Sequence, residues 1–358
     1  MTAAATDAPA LDAALATIAA GAAERDRDPA GPFPADAIDA LEAAGGLRAS
    51  ATEAPLSYAG ELALLRAVAA ADTGVARILD GHLNAVERLR VQAPPDLRDA
   101  ELAAIAADDL RAGVWGADPA PGEGEPAYVA GSALHGTKTF CSGAGGLHRA
   151  IVLARTADTG APPVAAWVDL TATDTVAVDR AWFRGAGMRS SASHRVTFAG
   201  TPILAILGAP GALTVQPWFA RDAVRTAATW AGAADAAVED AIASLGARPA
   251  TGDLEALAAG RLRTWQETIG LWLRAAAEAL DGPATGADPA DVAARARTAL
   301  ADAARAILDE AERATGSRPA AVGSTLDRAA RDLRLFLLQH RLEPILARSG
   351  RAELERRR

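Results

Sequence analysis

Arg331-Asp-Leu-Arg-Leu-Phe-Leu-Leu-Gln-His340 lies near the C-terminal end of the 358-residue chain. It is apolar through Leu335-Phe-Leu-Leu338 and ends on the polar Gln339, His340 and Arg341. It belongs to a segment that begins near Ala212 and consists of long Ala- and Leu-rich runs. These read as helices, since alanine and leucine are strong helix formers. Asp281-Gly-Pro-Ala-Thr-Gly-Ala-Asp-Pro289 reads as a loop between two of them. Upstream of this segment the pattern changes. Ala127–Gly131, Ala150–Ala154, Val164–Leu170, Thr175–Val178 and His194–Phe198 are short runs rich in β-branched residues and punctuated by Gly and Pro, as expected of buried strands in a compact β unit. Ahead of Gly113 helical spacing returns, with Leu11, Leu15 and Ile18 in one run and Leu62, Leu65 and Val68 in another. Asp36 stands before Ile38, Leu41 and Ala44, and Gly45-Gly46 closes that run as a C-cap. The expected organisation is α+β: a helical domain over 1–112, a β domain over 113–211 and a helical bundle over 212–358.

Composition narrows the function. The chain has 358 residues, half of them apolar, and a formal net charge of −9. That charge argues against nucleic-acid binding, which needs a basic surface. The lone Cys141 excludes an intramolecular disulfide and any multi-thiolate metal site. No stretch approaches the roughly twenty apolar residues of a membrane span, and the N-terminus lacks the pattern of a signal peptide. A soluble cytoplasmic protein is the expectation. Abundant Ala, Arg, Asp and Gly with little Lys suggests a GC-rich bacterial genome.

Four stretches, in order, resemble segments of the acyl-CoA dehydrogenase family. Phe33-Pro-Ala-Asp-Ala-Ile-Asp-Ala-Leu-Glu-Ala-Ala-Gly-Gly-Leu47 resembles its early helix. Gly136-Thr-Lys-Thr-Phe-Cys-Ser-Gly-Ala144 is similar to its Gly-x-Lys-x-Trp-Ile-(Ser/Thr)-Asn segment, and Gly185–Phe198 to its Gly-x-Arg-x-Ser strand pair. Arg331–His340 resembles the run from Arg-Asp to the catalytic Glu. The resemblance covers nearly the whole chain. It implies an N-terminal helical domain, a central β-barrel domain and a C-terminal helical bundle, packed as a homodimer or homotetramer. The runs Ile269-Gly-Leu-Trp272 and Leu335–Leu338 supply candidate surface for that packing. It also implies an FAD-dependent oxidoreductase acting on an acyl thioester, of CoA or a carrier, or on a related small organic substrate.

The resemblance carries roles to particular residues. His340 stands nine residues after Arg331, where the family's Glu removes a proton beside a thioester carbonyl. A neutral imidazole can also take a proton, and some similar flavin monooxygenases carry a His in this segment. Glu343 is the alternative base, three residues on and able to share a helical face with His340. Phe140 takes the place of the Trp that lies against the flavin ring, and Ser142 that of a hydroxyl donating near flavin N5 or O4. Gly143 replaces the usual Asn. Trp115 lies in the loop that normally reads Thr-Glu-Pro-x-Ala-Gly-Ser-Asp, where it could stack on the isoalloxazine or serve the core. Arg248 matches an Arg that reaches the FAD pyrophosphate of a neighbouring subunit. Gly316 and Arg318 occupy the place of a glycine-rich turn near the adenosine half, and the bland alternative is an ordinary turn with a solvated Arg. Cys141 reads as a small buried apolar residue. Three functions stay open at this point: a dehydrogenase-like enzyme altered by the loss of Glu, a flavin-dependent monooxygenase, or a cofactor-free structural or binding paralogue.

Overall fold

The computed structural model describes residues 8–28, 30–158, 160–281, 288–319, 321–339 and 341–357. Five helices come first: α1 (Ala8–Arg25), α2 (Ala35–Ala43), α3 (Tyr58–Ala71), α4 (Thr73–Gln92) and α5 (Pro95–Ala106). Among the described residues, side-chain caps start two of them. Ser57 accepts from the Gly60 N–H to open α3, and Asp72 accepts from the Gly74 and Val75 N–H groups to open α4. Gly45, at φ +78°, ends α2: its N–H reaches the Glu42 carbonyl and that of Gly46 reaches Leu41.

All strands among the described residues lie between Ala112 and Leu207: β1 (Ala112–Trp115), β2 (Tyr128–Ala130), β3 (Ala133–Cys141), β4 (Arg149–Ala154), β5 (Val164–Asp169), β6 (Val176–Asp179) and β7 (His194–Leu207). Their order is β1-β4-β5-β7-β3-β2, with β6 also paired to β7. β7 is the long spine. Its first half pairs with β3 and β6, its second half with β5. The expected barrel is not closed. β1 and β2 are the two ends of the path, and β2 meets the chain beyond β4 at an isolated Tyr128–Arg155 bridge. Register shifts in the β3–β7 and β5–β7 pairings bend the spine into two half-sheets rather than a cylinder.

The C-terminal helices are α6 (Trp218–Gly246), α7 (Asp253–Asp281), α8 (Pro289–Thr315), α9 (Thr325–Phe336) and α10 (Glu343–Glu355). α6 is the axle, packed on α3, α4, α7, α8 and α9. Gly232 lets it close on α3, since a Cβ there would lie 2.1 Å from the Arg66 carbonyl oxygen. Between α3, α4 and α6 lies a buried ionic network. Arg225 on α6 donates to Glu61 on α3 at 2.6 and 2.8 Å and to Glu87 on α4 at 2.8 and 2.9 Å. Arg221 also donates to Glu87, at 2.6 Å, and lies over the Tyr58 ring. Burial opposes the charge on Arg225, but Glu61 and Glu87 outweigh it and hold the guanidinium protonated. Among the described residues, no helix is long and apolar enough to cross a membrane.

Candidate active site

The end of β3 is where ordinary strand geometry fails. The β3–β7 pairing shifts between Lys138 and Cys141, and Phe140 falls into a left-handed conformation at φ +51°. A bulky residue rarely adopts that conformation. The effect is to turn the ring outward: Phe140 is 55% exposed while Thr139 and Cys141 on either side are buried. Trp182 meets it edge-to-face at 4.9 Å between centroids, and Phe183 at 6.3 Å. The Trp182 indole is fastened by donating to Glu123 Oε1 at 2.9 Å. A planar, largely apolar ring fits against such an aromatic corner.

The segment after β3 is tied to the loop before β7. Ser142 Oγ lies 2.9 Å from Ser193 Oγ, and Ser193 Oγ lies 2.7 Å from Ser191 Oγ. The Gly143 and Ala144 N–H groups donate to the carbonyls of Ser191 and Ala192. Met188 and Ala192, at φ +58° and +44°, are held in the same uncommon region as Phe140. Three buried carboxylates hold this loop. Asp332 accepts from the Met188 N–H, and Asp72 accepts from Ser190 Oγ at 2.5 Å. Asp26 pairs with Arg331, which donates to the Ala186 carbonyl at 2.6 Å. Gly187 presses on the α9 backbone, where a Cβ would lie 2.4 Å from the Arg331 carbonyl carbon. The Arg331-Asp332 pair thus joins α1, α9 and the loop beside the aromatic corner. Burial pushes the Asp332 carboxyl up to about 7; Asp72 and Asp26 add to this, while the Met188 N–H and Arg331 oppose it.

The other wall is the stretch after β1. Asp118 accepts from Lys138 Nζ at 2.7 Å and from Arg155 at 3.0 Å. Burial lowers the Lys138 pKa, and Asp118 partly offsets this. Burial likewise pushes the Asp118 carboxyl up, but Lys138 and Arg155 outweigh it and hold it low. Away from the aromatic corner, a shallow concavity of about 380 Å³ is lined by Asp235, Glu239 and Asp240. Two of these carboxylates are already paired, Asp235 with Arg66 and Glu239 with Arg263.

The structure gathers the sequence candidates into two groups. Trp115 and Ser142 meet just past the end of β3, two residues on from Phe140, and Trp115 lies on the inner side. Its indole is buried and donates to the Ser142 carbonyl at 2.9 Å, so it braces the site and offers no stacking face. Arg248 and Gly316 meet at the far end of α8. Arg248 donates to the Ala314 and Thr315 carbonyls at 2.7 and 3.3 Å and pairs with Glu255. It therefore satisfies the orphan carbonyls of α8 within its own chain, and Gly316 (φ +79°) turns the chain out of that helix. Arg318 is exposed beyond it. Glu343 is exposed on the first turn of α10, whose main contacts are with α8. α9 ends at Phe336, so Glu343 opens a separate helix. His340 lies outside the described residues. Trp182, Phe183, Ser191, Ser193 and Asp332 were not marked as site residues by sequence reasoning. The signal for three of them was there: Ser191 and Ser193 lie in the Gly185–Phe198 stretch, and Asp332 in the Arg331–His340 stretch.

No protein-family model and no curated protein matches the sequence. Solved structures match along nearly the whole chain. The methanesulfinate monooxygenase MsuC of Pseudomonas fluorescens aligns with a TM-score of 0.83 at 20% identity, over 99% of this chain and 98% of that one. TdsC of Paenibacillus sp. A11-2, a dibenzothiophene monooxygenase solved with FMN and indole, aligns at 0.81 and 20% identity over 98% of both chains. KijD3, solved with FMN and dTDP-3-amino-2,3,6-trideoxy-4-keto-3-methyl-D-glucose, aligns at 0.80 and 25% identity over 96% of this chain and 92% of that one. The chain has the acyl-CoA dehydrogenase-like fold that its motifs imply.

Proposed function

We propose that this protein is a flavin-dependent oxidoreductase of the monooxygenase type, which binds FMN at the aromatic corner and acts on a small organic substrate. The observation that carries this is Phe140. An exposed aromatic in a strained backbone conformation persists only where its surroundings impose it, and such strain clusters at functional sites. Phe140, Trp182 and Phe183 form an apolar wall that would hold a flat ring and exclude water from one side. When bound, the flavin supplies two-electron chemistry and, once reduced, reaction with molecular oxygen. FMN replaces the expected FAD in this proposal for two reasons. Arg248, the residue expected at a pyrophosphate, is engaged with α8 and Glu255. TdsC and KijD3 were both solved with FMN. Dehydrogenation of a thioester is disfavoured because Glu343, the alternative base, is exposed on the first turn of α10. Proton handling is proposed for His340.

A second copy of the chain is proposed to cover α7. Its Leu254, Leu257, Trp265, Leu271 and Trp272 are exposed along one helix, although Ile269 in the same run faces the core. A homodimer or homotetramer follows.

Titration with FMN tests the proposal, with light scattering on the same samples. FMN fluorescence should be quenched, and the melting temperature should rise at saturating ligand. FAD should bind more weakly, and the mass should be a multiple of the chain's. His340→Ala should keep FMN affinity and lose about 10²–10⁴-fold in turnover. If neither flavin changes fluorescence or melting temperature, the cofactor-free binding protein becomes the reading.

A further inference from the structure

We infer that the hydroxyl protons of Ser191, Ser193 and Ser142 are ordered in one direction, so that Ser142 meets a ligand as an acceptor and not as a donor. Ser193 and Ser191 are the positioning residues that enforce this. The order follows from counting protons. The Met188 carbonyl lies 2.6 Å from Ser191 Oγ, and a carbonyl has no proton to give, so the Ser191 hydroxyl donates to it. A serine hydroxyl has one proton and two lone pairs. With its proton used, Ser191 can only accept along the 2.7 Å contact to Ser193. Ser193 has then spent its own proton and must accept along the 2.9 Å contact from Ser142. Ser142 is left with lone pairs alone, at the least buried end of the chain and two residues from Phe140. Ser190 stands outside the chain, because its hydroxyl goes to Asp72.

The receiving end is anchored. Met188 has a left-handed backbone, its N–H is taken by the Asp332 carboxylate, and its carbonyl also accepts the Ser191 N–H. Gly187, the preceding residue, packs directly on the Arg331-Asp332 backbone. Ser191 is fully buried, and Ser193 and Ser142 are largely so.

What the acceptor selects rests on the flavin reading above. Around N5 and O4 an oxidised isoalloxazine offers only acceptors, whereas the reduced ring carries an N5–H. A lone-pair-only Ser142 therefore favours the reduced ring, by about tenfold for one hydrogen bond gained. This reverses the donor role expected from the sequence, and it makes Ser193 a determinant of redox preference without any contact to the ring.

Two measurements test it. Neutron diffraction from deuterium-exchanged crystals of the flavin-free protein should place deuterons on Ser142 Oγ toward Ser193 and on Ser193 Oγ toward Ser191. The opposite order, or a Ser142 hydroxyl turned outward, overturns the inference. Anaerobic titrations should then compare the affinities for oxidised and reduced FMN. Ser193→Ala frees the Ser142 proton, and Ser191→Ala lets Ser193 turn its proton toward Ser142 with the same result. Both should shift the preference toward oxidised FMN by about tenfold, whereas mere structural damage would weaken both forms alike. An unchanged ratio in both variants overturns the selection. If the wild type binds neither form, the flavin reading has failed, and the proton order stands or falls on the neutron map alone.

Discussion

The cluster around Arg225 and the cluster around Asp332 both bury carboxylates, yet their charges are balanced differently. Around Arg225, two guanidiniums face Glu61 and Glu87, and Arg225 and Arg221 hold the Glu87 carboxyl below its ordinary value despite burial. Around Asp332, three carboxylates share Arg25 and Arg331, and the hydrogen bond that Asp332 accepts comes from a backbone N–H. The first cluster fastens α3, α4 and α6 to one another. The second sits beneath the loop that carries the serine chain, and it leaves one carboxyl near neutrality. A matched cluster keeps its carboxylates ionised, whereas an acid-rich one raises the proton affinity of the carboxyl at its centre.

The largest effect should come from unbalancing the matched cluster. Arg225→Met removes the guanidinium from Glu61 and leaves Glu87 with Arg221 alone, and should cost about 3–5 kcal/mol of unfolding free energy in denaturant titrations. A loss below about 1 kcal/mol would mean that water enters this site and that the two clusters are alike.

The acid-rich cluster should reveal itself through pH. The folded-state pKa of Asp332 is about 7 against an ordinary 3.8, so the native state holds a proton there that the unfolded chain releases. Its contribution is complete below about pH 4, falls as pH rises toward 7, and is flat beyond. Asp332→Asn should therefore gain on wild type across that window by an amount on the order of 2–4 kcal/mol. A stability difference that does not vary with pH would show that Asp332 is ionised throughout.

The smallest stability effect should come from the aromatic corner. Phe140→Gly relieves a left-handed backbone and removes an exposed ring, so unfolding free energy should rise or stay within about 1 kcal/mol. FMN affinity should nevertheless fall about tenfold, the worth of one aromatic contact. Strong destabilisation would mean that the ring is a core element and not part of a site.

Several parts of this molecule could be read in one dimension. Helical spacing at Leu62, Leu65 and Val68, β-branched runs such as Ala150–Ala154, and the Gly45 cap are local properties, because each depends on neighbours within a few residues. They determine the helix–strand–helix order. The strand end that carries Phe140 and Ser142 was also legible, since its segment is continuous. The open sheet was not. Whether β1 meets β2 depends on how β7 bends along its two half-sheets, and no strand encodes that alone. The duty of Arg248 escaped for the same reason, because its carbonyl partners lie 66 and 67 residues away on α8.

Local pattern and motif order sufficed for the fold class and for a strand that ends near Phe140. Only the tertiary structure decided what that strand faces. Ser142, Ser193 and Asp332 meet across separations that periodicity cannot span, and proton direction in a hydrogen-bonded chain depends on its far end, here the Met188 carbonyl. A hydroxyl in a sequence is both donor and acceptor, and three-dimensional neighbours choose between the two.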